Sequence, residues 1–244
     1  MHESFFFARL LNSLFGSAVT SLLQAMGIHP ANPAAPFTDA FAWEIIVAAC
    51  LIAFFIVVRA TLSVEKPNSA QQFAEIIHDF TGGYADQIIG HGYERFQAFV
   101  TCIFLFVVVN NLLGLVPGID TPTADPVVPL GIAMLTFVYY NFYGFKEQGF
   151  VGYMKHFAGP IWWIAPLLFP IEIVSNLARV MSLTIRLYAN MFASDLVTLV
   201  FFSLVPVAIP AIFLGLHAAV SLIQAYVFML LAMIYLGGAT AHEH

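Results

Sequence analysis

Mostly apolar residues run for a spanning length at five places along this 244-residue chain, and short polar stretches separate the runs. A helix that crosses a bilayer needs about 20 mostly apolar residues. The runs cover residues 41–58, 98–116, 127–145, 166–204 and 208–236. The last two are longer than a perpendicular span, so they predict long tilted helices joined in a hairpin at Val205–Pro206. The final run is expected to end at Gly237-Gly238. Between the first two runs, Phe73, Ile76, Ile77 and Phe80 recur at helical spacing with Gln71, Gln72, Glu75, His78 and Asp79 among them. That segment is too polar to span and predicts an amphipathic helix lying on the membrane interface. Residues 1–26 read as a further amphipathic helix rather than a cleaved leader. The proline-rich segment Pro30 to Pro36 follows it as an extended linker. The pattern therefore predicts an all-α membrane protein. It has five transmembrane helices plus an interfacial helix, with residues 1–40 as an N-terminal segment and 41–244 as the membrane domain.

Composition narrows the class. The chain is 61% hydrophobic and 9% charged, against about 25% charged residues in soluble domains. Its net charge of −6 gives a nucleic-acid partner no electrostatic support. Cys50 and Cys102 sit inside apolar runs and read as small buried hydrophobes, not as a disulfide or a metal site. No histidine spacing suggests a metal, and no cofactor is expected. Arg59, Lys66, Arg95, Lys146 and Lys155 all fall on one side of the expected bundle, which makes that side cytoplasmic. The loop PGIDTPTADP carries Asp120 and Asp125 without a base and faces outward. Five spans then place the N-terminus outside and the C-terminus in the cytoplasm.

The candidate chemistry lies in the last two runs. The fourth carries Glu172, Arg179, Arg186 and Asp195. An arginine at the centre of a span costs on the order of 3 kcal/mol or more and marks a functional site by default. At about 100° per residue, Glu172, Asn176, Arg179, Arg186, Asn190 and Ser194 share one stripe, with Ser182 beside it. On the fifth run, His217, Ser221, Gln224 and Tyr235 share one face. Folding the pair about its turn puts Arg186 and Gln224 at one depth as companions, about 26 Å from the turn. Asp195 and His217 fall at another, about 15 Å from it. Glu172 lies beyond Arg186 on the far side. Asp195 is nine residues past Arg186, on the opposite face of a straight helix. Two paths reaching the helix from different sides fit this count better than one channel through both. Asn110 and Asn111 read as bonds between helices rather than ion ligands.

Three motifs fall in order: Phe104 to Gly118 (FLFVVVNNLLGLVPG), Arg186 to Ala193 (RLYANMFA) and Gln224 to Leu236 (QAYVFMLLAMIYL). Together they resemble subunit a of F-type ATP synthases, from the first span to the end of the chain. The resemblance implies a stator arginine at Arg186 and an inner access path at Glu172. It also implies an outer access path lined by Asn190, Asp195, His217 and Gln224, with Ser182, Ser221 and Tyr235 as accessory positions. Asp195 departs from the family pattern, where Glu or His is usual, and Ala189 and Ser194 stand where Gly is common. The implied partners are a ring of c subunits and the b-subunit peripheral stalk. The subunit would not be an enzyme on its own. The rival reading is a stand-alone ion or proton transporter or channel built on the same charges. The lack of an internal repeat disfavours it.

Overall fold

The computed structural model describes residues 5–25, 32, 35–116, 119, 121–158, 163, 165–204 and 208–240. Among them are seven α-helices, a single-turn 3-10 segment at Pro122–Ala124, and no strand. The helices are α1 (Phe6–Ala25), α2 (Asp39–Ala60), α3 (Ser69–Ile89), α4 (Glu94–Leu113), α5 (Val127–Ala158), α6 (Ala165–Leu204) and α7 (Ala208–Thr240). All of these except α3 are long and apolar enough to cross a membrane. The sequence pattern gives five such helices, and α1 is the sixth by length and composition. The expected turn at Val205–Pro206 lies outside the described residues.

Side-chain amides fix two of the connections. Asn12 of α1 donates to Phe37 O and accepts from Phe37 N, both at 2.9 Å. Gln71 of α3 does the same for Ser63, accepting at 3.0 Å and donating at 3.1 Å. In each case one amide satisfies both main-chain groups of a linker residue that has no ladder to join. The start of α1 is tied to the start of α2. Phe5 N donates to Asp39 Oδ1 at 3.1 Å, and Phe5 stacks on Trp43 at 4.4 Å between ring centroids. The Thr38 hydroxyl caps α2 by accepting from Phe41 N.

Helices α4 to α7 make the bundle. One apolar core joins Ile103, Val107, Val180, Leu183, Leu187, Met191 and Phe228. A second joins Ala85, Phe96, Val100, Tyr140, Met229, Met233 and Leu236. In lipid such contacts hold helices through close packing rather than expulsion of water. Gly237 shows this, and it corrects an expectation. Glycines 237 and 238 do not stop the last helix, which continues to Thr240. A side chain at Gly237 would meet Ile88 O at 3.2 Å, so the glycine lets α7 touch the end of α3. The third span also runs past its expected end and breaks at Gly149 (φ 70°, ψ 165°) before resuming. Cys50 and Cys102 are exposed rather than buried. They face away from the bundle, because a thiol is apolar enough to meet lipid.

The bundle has two distinct ends. The starts of α2, α5 and α7 and the finishes of α4 and α6 gather at one, around the 3-10 turn. The start of α4 and the finish of α7 gather at the other, beside α3, with α5 reaching them at Glu147 and Gln148. There Gln148 donates to Ala239 O at 3.1 Å, and Arg95 pairs with Glu147.

Candidate functional site

Helices α6 and α7 run antiparallel. Phe201 stacks on Phe213, Ser194 meets His217 and Asn190 meets Gln224, each pair one step further from the 3-10 end. The axial count from sequence therefore places Asp195 beside His217 correctly. His217 Nδ1 stands 3.4 Å from Asp195 Oδ1 and 3.0 Å from Ser194 Oγ. The imidazole is 1% exposed and the carboxylate 30%.

His217 Nε2 lies 3.2 Å from Asn111 O. A carbonyl only accepts, so Nε2 carries the hydrogen in that bond. In the neutral ring Nδ1 is then the bare nitrogen, and it faces the Asp195 carboxylate. The Ser194 hydroxyl donates to Nδ1 at 3.0 Å, and the carboxylate stands beside it at 3.4 Å. Around it lies a buried polar net. Thr121 Oγ1 donates to Asp195 Oδ1 at 2.8 Å, and Thr123 Oγ1 donates to Asn111 Oδ1 at 2.6 Å. Asn111 Nδ2 donates to Ser221 O at 3.3 Å. Asn111 thus bonds another helix, as its place in the span suggests. Ser221 is buried, with its hydroxyl 3.5 Å from Asn111 O.

A cavity of about 990 Å³ opens beside this net. Asp39, Trp43, Gly114, Thr121, Asp125 and Asp195 are among its lining residues, so it joins the start of α2 to the carboxylate on α6.

Arg186 lies elsewhere. It is exposed on α6, with Met181, Ile185 and Phe192 exposed beside it. Its guanidinium reaches the Ser182 hydroxyl at 3.5 Å, and no ion pair to it is found among the described residues. The expected companionship with Gln224 does not form. Gln224 is buried and its Oε1 accepts from Asn190 Nδ2 at 2.7 Å. Arg186 shares the depth of that pair but turns out of the α6–α7 seam onto the open face. The nine-residue offset puts Asp195 on the cavity side and Arg186 on the bare side, as the helical count requires.

Past Arg186, toward α3, lies a second polar group. Glu172 pairs with Arg179 at 3.6 Å, both about a third exposed (35% and 37%). The Arg179 guanidinium sits 5.3 Å over the Tyr235 ring. Tyr140 donates its hydroxyl to Asn176 of α6. The sequence reading placed Glu172 and Tyr235 without naming Arg179 as the link between them. It also missed Thr121, Thr123 and Tyr140.

Fold and site together define a multi-pass helical membrane protein with titratable side chains inside its spans. Comparison with known proteins is decisive on the family. Residues 41–237 match the model of the family described as ATP synthase A chain. The chain is 48% identical over 244 residues to ATP synthase subunit a of Koribacter versatilis (strain Ellin345), covering all of both chains. It is 42% identical over 235 residues to that of Solibacter usitatus (strain Ellin6076), covering 96% of this chain and all of the relative. ATP synthase subunit a of Solidesulfovibrio magneticus is 36% identical over 236 residues, with 93% of this chain and 95% of the relative covered. The chain belongs to the ATP synthase A chain family.

Proposed function

We propose that this proton-translocating, membrane-sector subunit supplies two half-channels to carboxylates on a rotating c ring, with Arg186 as the fixed charge between them. The observation that carries this reading is the bare guanidinium. Arg186 stands exposed among apolar side chains, a placement that is costly unless a partner brings an opposite charge. The partner's carboxylate would complete the contact.

The chemistry follows from charge and solvation. A guanidinium stays charged under any physiological condition, so a ring carboxylate beside it is favoured in its ionised form. A proton entering by the cavity at Asp195 passes to His217 Nδ1. From there the Asn190–Gln224 pair leads toward the arginine's level. Protonation frees the carboxylate to enter lipid, which an ionised group cannot do cheaply. After the ring has turned, the proton leaves by the path at Glu172. The guanidinium blocks a direct leak between the paths. The driving force is about 2.3 kcal/mol per charge per 100 mV.

In this reading the 3-10 end faces outward and the α3 end faces the cytoplasm of a bacterial cell. The basic residues of the loops near α3 support that orientation. The exposed Phe73, Ile76 and Phe80 of α3 meet lipid at the inner interface. Residues 1–40 form an outer-side segment, with α1 on the membrane surface. The b-subunit stalk is the second partner. The test is Arg186→Ala in membrane vesicles carrying the whole complex. ATP-driven proton pumping should vanish, and pumping at the normal rate would overturn the mechanism.

A further inference from the structure

We propose that Thr121 is a positioning residue that aims the Asp195 carboxylate at His217, and that residue 114 must be glycine for Thr121 to do so. This rests on the reading of Asp195 and His217 as a proton path.

Three elements converge on one point. Thr121 is buried, and its hydroxyl donates to Asp195 Oδ1 at 2.8 Å. The same oxygen stands 3.4 Å from His217 Nδ1. A carboxylate on a helix that borders a large cavity has room to rotate into it. The hydroxyl opposes that rotation and holds one oxygen toward the ring, leaving the group partly open to the cavity. A closed turn holds the hydroxyl in turn, because Ala124 N donates to Thr121 O at 2.9 Å. Thr121 is therefore not on a free loop.

Gly114 follows the last residue of α4. A methyl group there would overlap the Thr121 hydroxyl outright and stand 3.2 Å from His217 Cε1. Any side chain at 114 therefore evicts the hydroxyl from its place. The end of α4, the 3-10 turn and α7 meet at one spot, and the meeting is possible only because α4 ends on a residue with no side chain. In the transfer itself the O–H bond on Asp195 breaks and an N–H bond forms on His217. Thr121 keeps its own proton throughout.

The test uses vesicles with the assembled complex and reads proton pumping together with the dependence of ATP synthesis on outer pH. Thr121→Val should lower flux on the order of tenfold, the scale of a lost bond to a charged group. It should also move the outer-pH profile. Thr121→Ser, which keeps the hydroxyl, should restore both. Gly114→Ala should reproduce the Val phenotype. Normal flux in Thr121→Val, or a Ser variant as impaired as Val, overturns the proposal. If Thr121→Val does not assemble, Thr121→Ala against Thr121→Ser makes the same comparison. Arg186→Ala separates the two claims. If it is inactive while Thr121→Val is normal, the positioning role alone falls. If it pumps normally, the half-channel reading falls first.

Discussion

The two polar groups that flank Arg186 are built in different ways. At the 3-10 end, Asp195 and His217 are held by the Thr121 and Ser194 hydroxyls and the Asn111 main-chain carbonyl, with bonds of 2.8 to 3.2 Å. At the α3 end, Glu172 and Arg179 lie seven residues apart on one helix, each about a third exposed, at 3.6 Å. The first is an assembled site whose geometry depends on several backbones. The second is a contact within one helix that borrows a ring from α7. If the two groups serve the proposed half-channels, the proton site is rigid at one end of the path and loose at the other. Transfer between two protein groups needs fixed geometry, whereas exchange with water needs access.

Substitutions can break or sharpen this contrast. The largest effect belongs to Arg186→Ala, which removes the charge that both ends serve in the proposed mechanism and should abolish coupled pumping in vesicles. Next comes His217→Ala. It should slow proton flux on the order of a hundredfold, the low end of what a positioned acid–base group contributes. Arg179→Ala should cost about fivefold or less in the same assay, because an ion pair a third exposed is worth under about 1 kcal/mol. If Arg179→Ala proved as damaging as His217→Ala, the loose end would be as tightly organised as the other and the comparison would fail. The smallest effect on flux is expected from Tyr140→Phe. It removes the phenol bonded to Asn176 and should lower thermal stability by about 1 kcal/mol, read as a lower unfolding temperature with pumping nearly intact.

The legible part of the site was the part that obeys a period. Arg186, Asp195 and Glu172 stand out because charges are costly in apolar runs. The depth of Asp195 against His217 follows from a constant axial rise on two helices. Thr121 has no such signal. It sits in a segment rich in proline and aspartate, where a hydroxyl reads as turn chemistry. Its partner lies 74 residues away, and only the folded bundle sets that distance. Gln224 lies at the depth the axial rise predicts but bonds Asn190 rather than Arg186. Depth comes from the rise, whereas the choice between Arg186 and Asn190 depends on which way a flexible side chain leaves the helix. Gly237 was read as a stop because glycine has two uses in helices, and the sequence does not distinguish an end from a close approach. The fold class and the order of the spans needed no such knowledge, since length and apolar content decide them.

The Tyr140–Asn176 bond has a mechanical side. Under the proposed contact, a turning ring pushes sideways on Arg186. That residue lies ten positions past Asn176 and nine before Asp195, near the middle of a stretch about 28 Å long. Both ends of the stretch are fastened to neighbouring helices. A rod held at two points deflects far less under a central load than one held at a single end. With the Asn190–Gln224 bond and the packing of Leu183, Leu187 and Met191 between them, the two fastenings make α6 a supported beam, suited to a sideways load at Arg186 under the proposed contact.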